Sequence, residues 1–253
     1  MCLGQLMNKT FFVTGGSKGI GAATVRIAAK NGYNVAFTYA NSADAAEALC
    51  KEVAADGGQA MAISCDVRQA DQVQRAFQEL NDEWGRPNAV FVNAGITGPV
   101  ARIDALQPHE LEDVMQVNLM GSFYTCMEAI KLMAPSHGGF GGSIILMSSR
   151  AAQLGGGGEW VHYAASKGAI DSMTWGLSKE WASEKIRVNA VAPGLIDTDI
   201  HQAGDGKRLE RLLPFVPMGR IGGPEEVAET VLWLAGDASS YVSGAIIPIS
   251  GAR

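Results

Sequence analysis

The chain has 253 residues, 47% of them hydrophobic, and a formal net charge of −6. That length can bury one large core, so a single domain over 1–253 is expected, and the acidic balance provides no extended basic surface for nucleic acid. Cys2, Cys50, Cys65 and Cys126 have no CxxC spacing and no neighbouring histidine cluster, which argues against metal and for reduced thiols.

Met1 to Asn8 lack the basic and apolar regions of a secretory signal, and no apolar run approaches the length of a membrane span. A cytoplasmic protein without membrane contact is the expectation. From the N-terminus, apolar runs of strand length fall at 10–14, 34–39, 60–65, 89–93, 143–148, 187–191 and 245–249. Between them, 21–31, 43–56, 71–84, 110–132, 163–183 and 224–236 show helical apolar spacing with charged opposite faces. The strand runs are continuous rather than alternating, the pattern of strands covered on both sides. Strand and helix alternate throughout, predicting a Rossmann-type, doubly wound parallel α/β sheet of about seven strands. Three stretches break the rhythm: glycine-rich 136–142, the glycine run 155–158, and a mixed segment at 197–217 that reads as a substrate-binding loop or lid.

The first strand runs into Thr14-Gly15-Gly16-Ser17-Lys18-Gly19-Ile20-Gly21, a glycine-rich turn opening onto a helix. Glycines let the backbone approach a pyrophosphate, and the helix start offers unpaired N–H groups and a positive dipole end. The spacing is G-x-x-x-G-x-G, not the G-x-G-x-x-G of the common dinucleotide fingerprint. At the end of the second strand, Phe37-Thr38-Tyr39-Ala40-Asn41 offers no carboxylate for the adenosine ribose hydroxyls of NAD. A carboxylate there would repel a 2′-phosphate, so its absence suits NADP. Lys18 offers a cation for that phosphate, although a solvated surface lysine is the plain alternative.

Tyr163 and Lys167 stand at i and i+4 in a predicted helix, so they project from one face. Bringing a phenol from a pKa near 10 to about 7 takes roughly 4 kcal/mol of preferential phenolate stabilisation. One ammonium at about 4 Å in an effective dielectric near 20 supplies about that. The spacing itself arises by chance in many helices, so its context has to carry the assignment.

That context is five motifs in order: Thr14–Gly21, Asn93-Ala94-Gly95, Asn118, Ser149 ahead of Tyr163-x-x-x-Lys167, and Pro193-Gly194 followed by Thr198. Over essentially its whole length the chain resembles the short-chain dehydrogenase/reductase family, in a subgroup that looks like the 3-oxoacyl carrier-protein reductases and glucose dehydrogenases. The resemblance implies that Tyr163 is general acid in reduction and general base in oxidation, that Lys167 lowers its pKa and holds the nicotinamide ribose, and that Ser149 binds the substrate oxygen. It further implies a water held by Asn118 as a proton relay. For the cofactor it implies Gly15, Ser17, Lys18, Gly19, Ile20 and Gly21 at the phosphates, and Asp66 and Val67 at the adenine. Asn93, Ala94 and Gly95 would line the adenosine side, and Pro193, Gly194, Ile196 and Thr198 would seat the carboxamide. It also implies a homotetramer formed through 110–132 and 163–183 with a second contact near the last strand.

Two features depart from the family pattern. Val92 stands where the family has a first asparagine before Asn93, and one residue is inserted between Ser149 and Tyr163, within 155–162. The glycine run can absorb the insertion, which keeps Ser149 as the hydroxyl and leaves Ser148 in reserve; Arg150 could not replace a group that both donates and accepts. Glu159, Trp160 and His162 then become candidate specificity residues, or simply an exposed loop with a packing tryptophan. A carbonyl reductase or alcohol dehydrogenase using NADP(H) on a small molecule is the leading reading. An NAD(P)-dependent sugar dehydrogenase is the alternative, since 197–217 holds both polar groups (His201, Asp205, Lys207, Arg208, Glu210, Arg211) and apolar ones (Leu209, Leu212, Leu213, Phe215, Val216). A non-catalytic dinucleotide sensor would be expected to lose Tyr163 or Lys167, and both are present.

Overall fold

In the computed structural model, which describes residues 9–198 and 208–253, each predicted apolar run is a strand. They are β1 (Thr10–Val13), β2 (Asn34–Tyr39), β3 (Gln59–Ser64), β4 (Ala89–Val92), β5 (Gly142–Met147), β6 (Ile186–Pro193) and β7 (Ile246–Ile249). All pair in parallel in one sheet, ordered β3-β2-β1-β4-β5-β6-β7. β1 sits between β2 and β4, with Phe11 in register with Val35 on one side and Ala89 on the other.

Alternate residues of each strand feed two separate cores, which is why the runs read as continuously apolar. Phe11 and Val13 face a layer built from α1 (Gly19–Lys30), α2 (Ala43–Ala55) and α9 (Pro224–Ala235). Phe12 faces the other, built from α3 (Ala70–Trp84), α5 (Gly121–Met133) and α7 (Val161–Trp181). The rings of Phe12 and Phe77 lie 4.2 Å apart there. The chain leaves β1 toward β2 and β3 and returns through β4 toward β7, so a crevice opens at the carboxyl ends of β1 and β4.

The predicted helix at 110–132 is in three parts: α4 (Pro108–Met115), a π turn (Gln116–Met120) and α5. It starts two residues early because Pro108 suits a first helical turn and the Glu110 carboxylate accepts from the Gln107 N–H at 2.9 Å. The glycine run near 155 is a folded turn rather than a flexible spacer. It closes α6 (Ala151–Leu154), and Trp160 N–H donates to Gly156 O at 2.8 Å. Of the mixed segment at 197–217, residues 199–207, which include His201, Asp205 and Lys207, lie outside the described residues; beyond them runs the short helix α8 (Arg208–Leu212). Cys50, Cys65 and Cys126 are free thiols, and burial pushes Cys65 up to about 11 and Cys126 up to about 12. Cys2 lies outside the described residues. No helix among the described residues is long and apolar enough to cross a membrane.

Candidate active site

The crevice holds a cavity of about 1330 Å³ that runs from the glycine turn after β1 across the strand ends to Tyr163 on α7. At the first end the turn is fastened to its neighbours. Thr14 Oγ1 accepts from the N–H groups of Asn93 (2.9 Å) and Ala94 (3.1 Å), and the Asn93 amide donates back to Thr14 O (3.0 Å) and Gly15 O (2.9 Å). Gly15 N–H donates to Thr38 Oγ1 at 3.1 Å. Gly15 has φ +64°, and a side chain there would also press to 3.0 Å from Ala94 Cα. No side chain caps α1, whose N-cap position is Lys18, so its first N–H groups are left for an anion. Lys18 is exposed at the cavity wall, which also includes Tyr39, Ala40 and Asn41.

The second end is organised by three consecutive residues after β5 begins to end. The Ser149 hydroxyl accepts from the Ala151 N–H at 3.1 Å and lines this end of the cavity beside Tyr163, whose pKa it lowers. Ser148 Oγ instead donates to Asp171 Oδ1 at 2.5 Å, which commits it elsewhere and leaves Ser149 as the hydroxyl facing the tyrosine. Met147 O accepts from Lys167 Nζ at 2.7 Å. The Lys167 ammonium lies 5.6 Å from the centre of the Tyr163 ring. Gly95 faces this group, since a Cβ there would come 3.5 Å from Lys167 Nζ and 3.3 Å from Asn118 Oδ1.

Asn118 is fully buried within the π turn. Its Oδ1 accepts from Ile96 N–H (2.8 Å), and its Nδ2 donates to Ile96 O (2.9 Å) and Ser166 Oγ (3.0 Å). Among the described residues every predicted site residue lines the cavity except Ser17 and Asn118, the latter bonded to Ile96 and Ser166.

Electrostatics differ from the one-ammonium expectation. Burial raises the Tyr163 phenol above its ordinary value, opposed by the Ser149 hydrogen bond and the Arg208 charge. Burial also pulls Lys167 down to about 8, with Asp171 pulling it back up. Desolvation is the largest influence on each of the two groups.

Of the specificity candidates, His162 is buried and donates through Nε2 to Thr97 O at 2.9 Å, away from the cavity. Glu159 and Trp160 do line it. The Arg208 guanidinium stacks 4.0 Å from the Trp160 ring, and the Glu159 carboxylate pairs with Arg208 and Arg211, each at 3.1 Å. Trp160 meets the Tyr163 ring edge-on at 5.9 Å, and its buried indole N–H has no acceptor among the described residues. Sequence reading missed Thr38, the Met147 carbonyl, Asp171 and the Arg208–Trp160 stack. Only Asp171 carried a signal, as the next residue at i+4 spacing beyond Tyr163 and Lys167.

The model of the enoyl-(acyl carrier protein) reductase family matches residues 15–251. The chain belongs to the short-chain dehydrogenase/reductase family. It is 42% identical over 243 residues to the uncharacterized oxidoreductase YgfF of Escherichia coli, covering 95% of this chain and 98% of that one. It is 35% identical over 245 residues to the 3-oxoacyl-[acyl-carrier-protein] reductase FabG of Staphylococcus aureus, covering 97% and 98%. Among solved structures, a blue fluorescent protein from a metagenomic library, in complex with NADPH, superposes with TM-score 0.89 at 35% identity, covering 98% of this chain and 99% of that one. A 3-ketoacyl-(acyl-carrier-protein) reductase from Brucella melitensis complexed with NADH gives TM-score 0.89 at 25% identity, covering 98% and 99%. The family places this chain among oxidoreductases that use NAD(P)(H).

Proposed function

We propose that the protein is an NADP(H)-dependent oxidoreductase that interconverts a carbonyl and a secondary alcohol, with Tyr163 donating the proton in reduction and accepting it in oxidation. The observation that carries this reading is the convergence of Tyr163, Ser149 and Lys167 at one end of a cavity whose other end is an uncapped glycine turn. The residues present suit a dinucleotide. Gly15 leaves room for close backbone approach, and the bare start of α1 suits a pyrophosphate. Asp66 and Val67 would meet the adenine, and Pro193, Gly194, Ile196 and Thr198 the carboxamide. Lys18, with no carboxylate on the Thr38–Asn41 wall, favours a 2′-phosphate, hence NADP over NAD. When bound, the nicotinamide supplies or accepts the hydride.

Ser149 orients the carbonyl oxygen and stabilises its developing charge, while the Tyr163 hydroxyl delivers the proton. Lys167 spends one N–H on Met147 O, leaving the others for the ribose and for handing on the proton. The Asn118 amide bonds to Ile96 and Ser166, so we assign it to holding the cavity wall and Ser166 rather than to binding a relay water through that group. Exposed apolar side chains on α5 and α7 (Phe123, Met127, Trp175) support assembly as a homotetramer, which light scattering on the full chain would test. Tyr163→Phe tests the central role: NADPH affinity should stay within about threefold while turnover falls by about 10³ or more, and retained turnover overturns the assignment.

A further inference from the structure

Asp171 is 8% exposed and lies two turns beyond Tyr163 and one beyond Lys167 on α7, in the same i, i+4, i+8 row. A carboxylate in such a position needs partners, because desolvation penalises its charge. It has the Ser148 hydroxyl at 2.5 Å and the field of the Lys167 ammonium. Two consecutive residues at the end of β5 therefore hold the two deeper members of the helix row, Met147 O taking Lys167 and Ser148 taking Asp171, while the next residue, Ser149, lines the cavity beside Tyr163. Lys167 is itself only 3% exposed. A buried ammonium held by one carbonyl loses its proton easily unless a negative charge lies nearby.

We propose that Asp171, locked by Ser148, is a positioning residue for Lys167: it keeps the buried side chain charged and aligned on Met147, so that the ammonium stands beside Tyr163. This rests on the proposed roles of Tyr163 and Lys167 and extends them one helical turn deeper. The groups that bear on the pair from each packed element are few. On α7 they are Tyr163, Lys167 and Asp171; from β5 comes the Met147 carbonyl and, just after the strand, the Ser148 hydroxyl; and Arg208 acts on Tyr163 from α8.

The sign of the effect follows from the charge. Asp171 raises the proton affinity of Lys167, so removing its charge lets Lys167 deprotonate at lower pH. The test is the pH profile of kcat for reduction with NADPH, measured on the wild type, Asp171→Asn, Asp171→Glu, Ser148→Ala and Lys167→Met, using whichever ketone the wild type reduces. In Asp171→Asn the alkaline limb should move down by about one pH unit and kcat at pH 8.5 should fall about tenfold. Asp171→Glu should restore the limb, and Ser148→Ala should shift it in the same direction by less. An Asp171→Asn enzyme that keeps the wild-type limb and loses only thermal stability would overturn the proposal. Should Asp171→Asn fail to fold, an unmoved limb in soluble Ser148→Ala overturns it equally. Lys167→Met separates the two levels: if it retains turnover, the role of Lys167 itself fails. If it is inactive while both Asp171→Asn and Ser148→Ala keep the wild-type limb, only the inference about Asp171 fails.

Discussion

The side chain of Asn118 and the main chain of Ile96 exchange two hydrogen bonds, of 2.8 and 2.9 Å, across 22 residues of sequence. They tie the π turn to the segment after β4 and so shape one wall of the cavity. The π turn sits where this side chain leaves the helix to reach that segment, consistent with the way such bulges mark functional sites.

Replacing Asn118 by Ala would empty a fully buried site and remove these partners from the part-buried N–H and C=O of Ile96. Each hydrogen bond lost contributes about 0.5–1.5 kcal/mol, so Asn118→Ala should lower the unfolding free energy by about 2 kcal/mol in urea titrations. Turnover should fall with it, because Ser166 and the 95–97 segment lose their anchor. A variant as stable as the wild type would show that water can take over the Asn118 bonds.

Lys167 couples stability to function in the opposite sense. Its folded pKa, about 8 against an ordinary 10.5, means that burial favours the neutral amine. Below pH 8 the fold carries the cost of keeping the group charged, and that cost disappears as pH rises from 8 toward 10.5. Lys167→Met should therefore stabilise the protein at pH 7 by about 1–2 kcal/mol, after allowing for the lost bond to Met147, while abolishing turnover. The stability difference between the two proteins should shrink between pH 8 and pH 10.5. Chemical denaturation at pH 7 and pH 10 measures it, and an equal difference at both would contradict the assignment of the buried charge.

Lys18 should govern the choice of cofactor. With Lys18→Ala, the KM for NADPH should rise about tenfold, as expected for losing one charge-assisted contact with a phosphate, while the KM for NADH stays within about twofold. Steady-state kinetics with both cofactors read this directly. An unchanged preference removes Lys18 from the phosphate site.

Glu159 fastens α8 to the turn ahead of α7 through Arg208 and Arg211. The Arg208 side chain is only 11% exposed, so its pairing is less screened than a surface ion pair. Glu159→Gln should cost about 1 kcal/mol and increase amide exchange within Arg208–Leu212, detectable by hydrogen–deuterium exchange. Identical exchange in both proteins would mean that α8 is held in place without Glu159.

All seven strands, the doubly wound layout and the glycine turn were legible along the chain because they rest on local periodicity and on where glycine is needed. Tyr163 and Lys167 were legible for the same reason, since their meeting follows from helical spacing. What the linear pattern could not settle depended on contacts between distant segments. The insertion between Ser149 and Tyr163 left two serines possible, and only the packing of β5 against α7 separated them, by giving Ser148 to Asp171. His162 looked like a loop residue bordering the substrate, and the fold buried it against Thr97. The phenol was expected to be set by its neighbour on the helix, and the largest influence that the fold adds is burial by the surrounding layers. The family, the sheet and the helical pair could be read along the chain, since these are written in short-range spacing. Which of the two serines is engaged by Asp171, and how strongly Tyr163 and Lys167 are desolvated, could be seen only in the folded chain, because hydrogen-bond partners and burial are properties of segments brought together from across the chain.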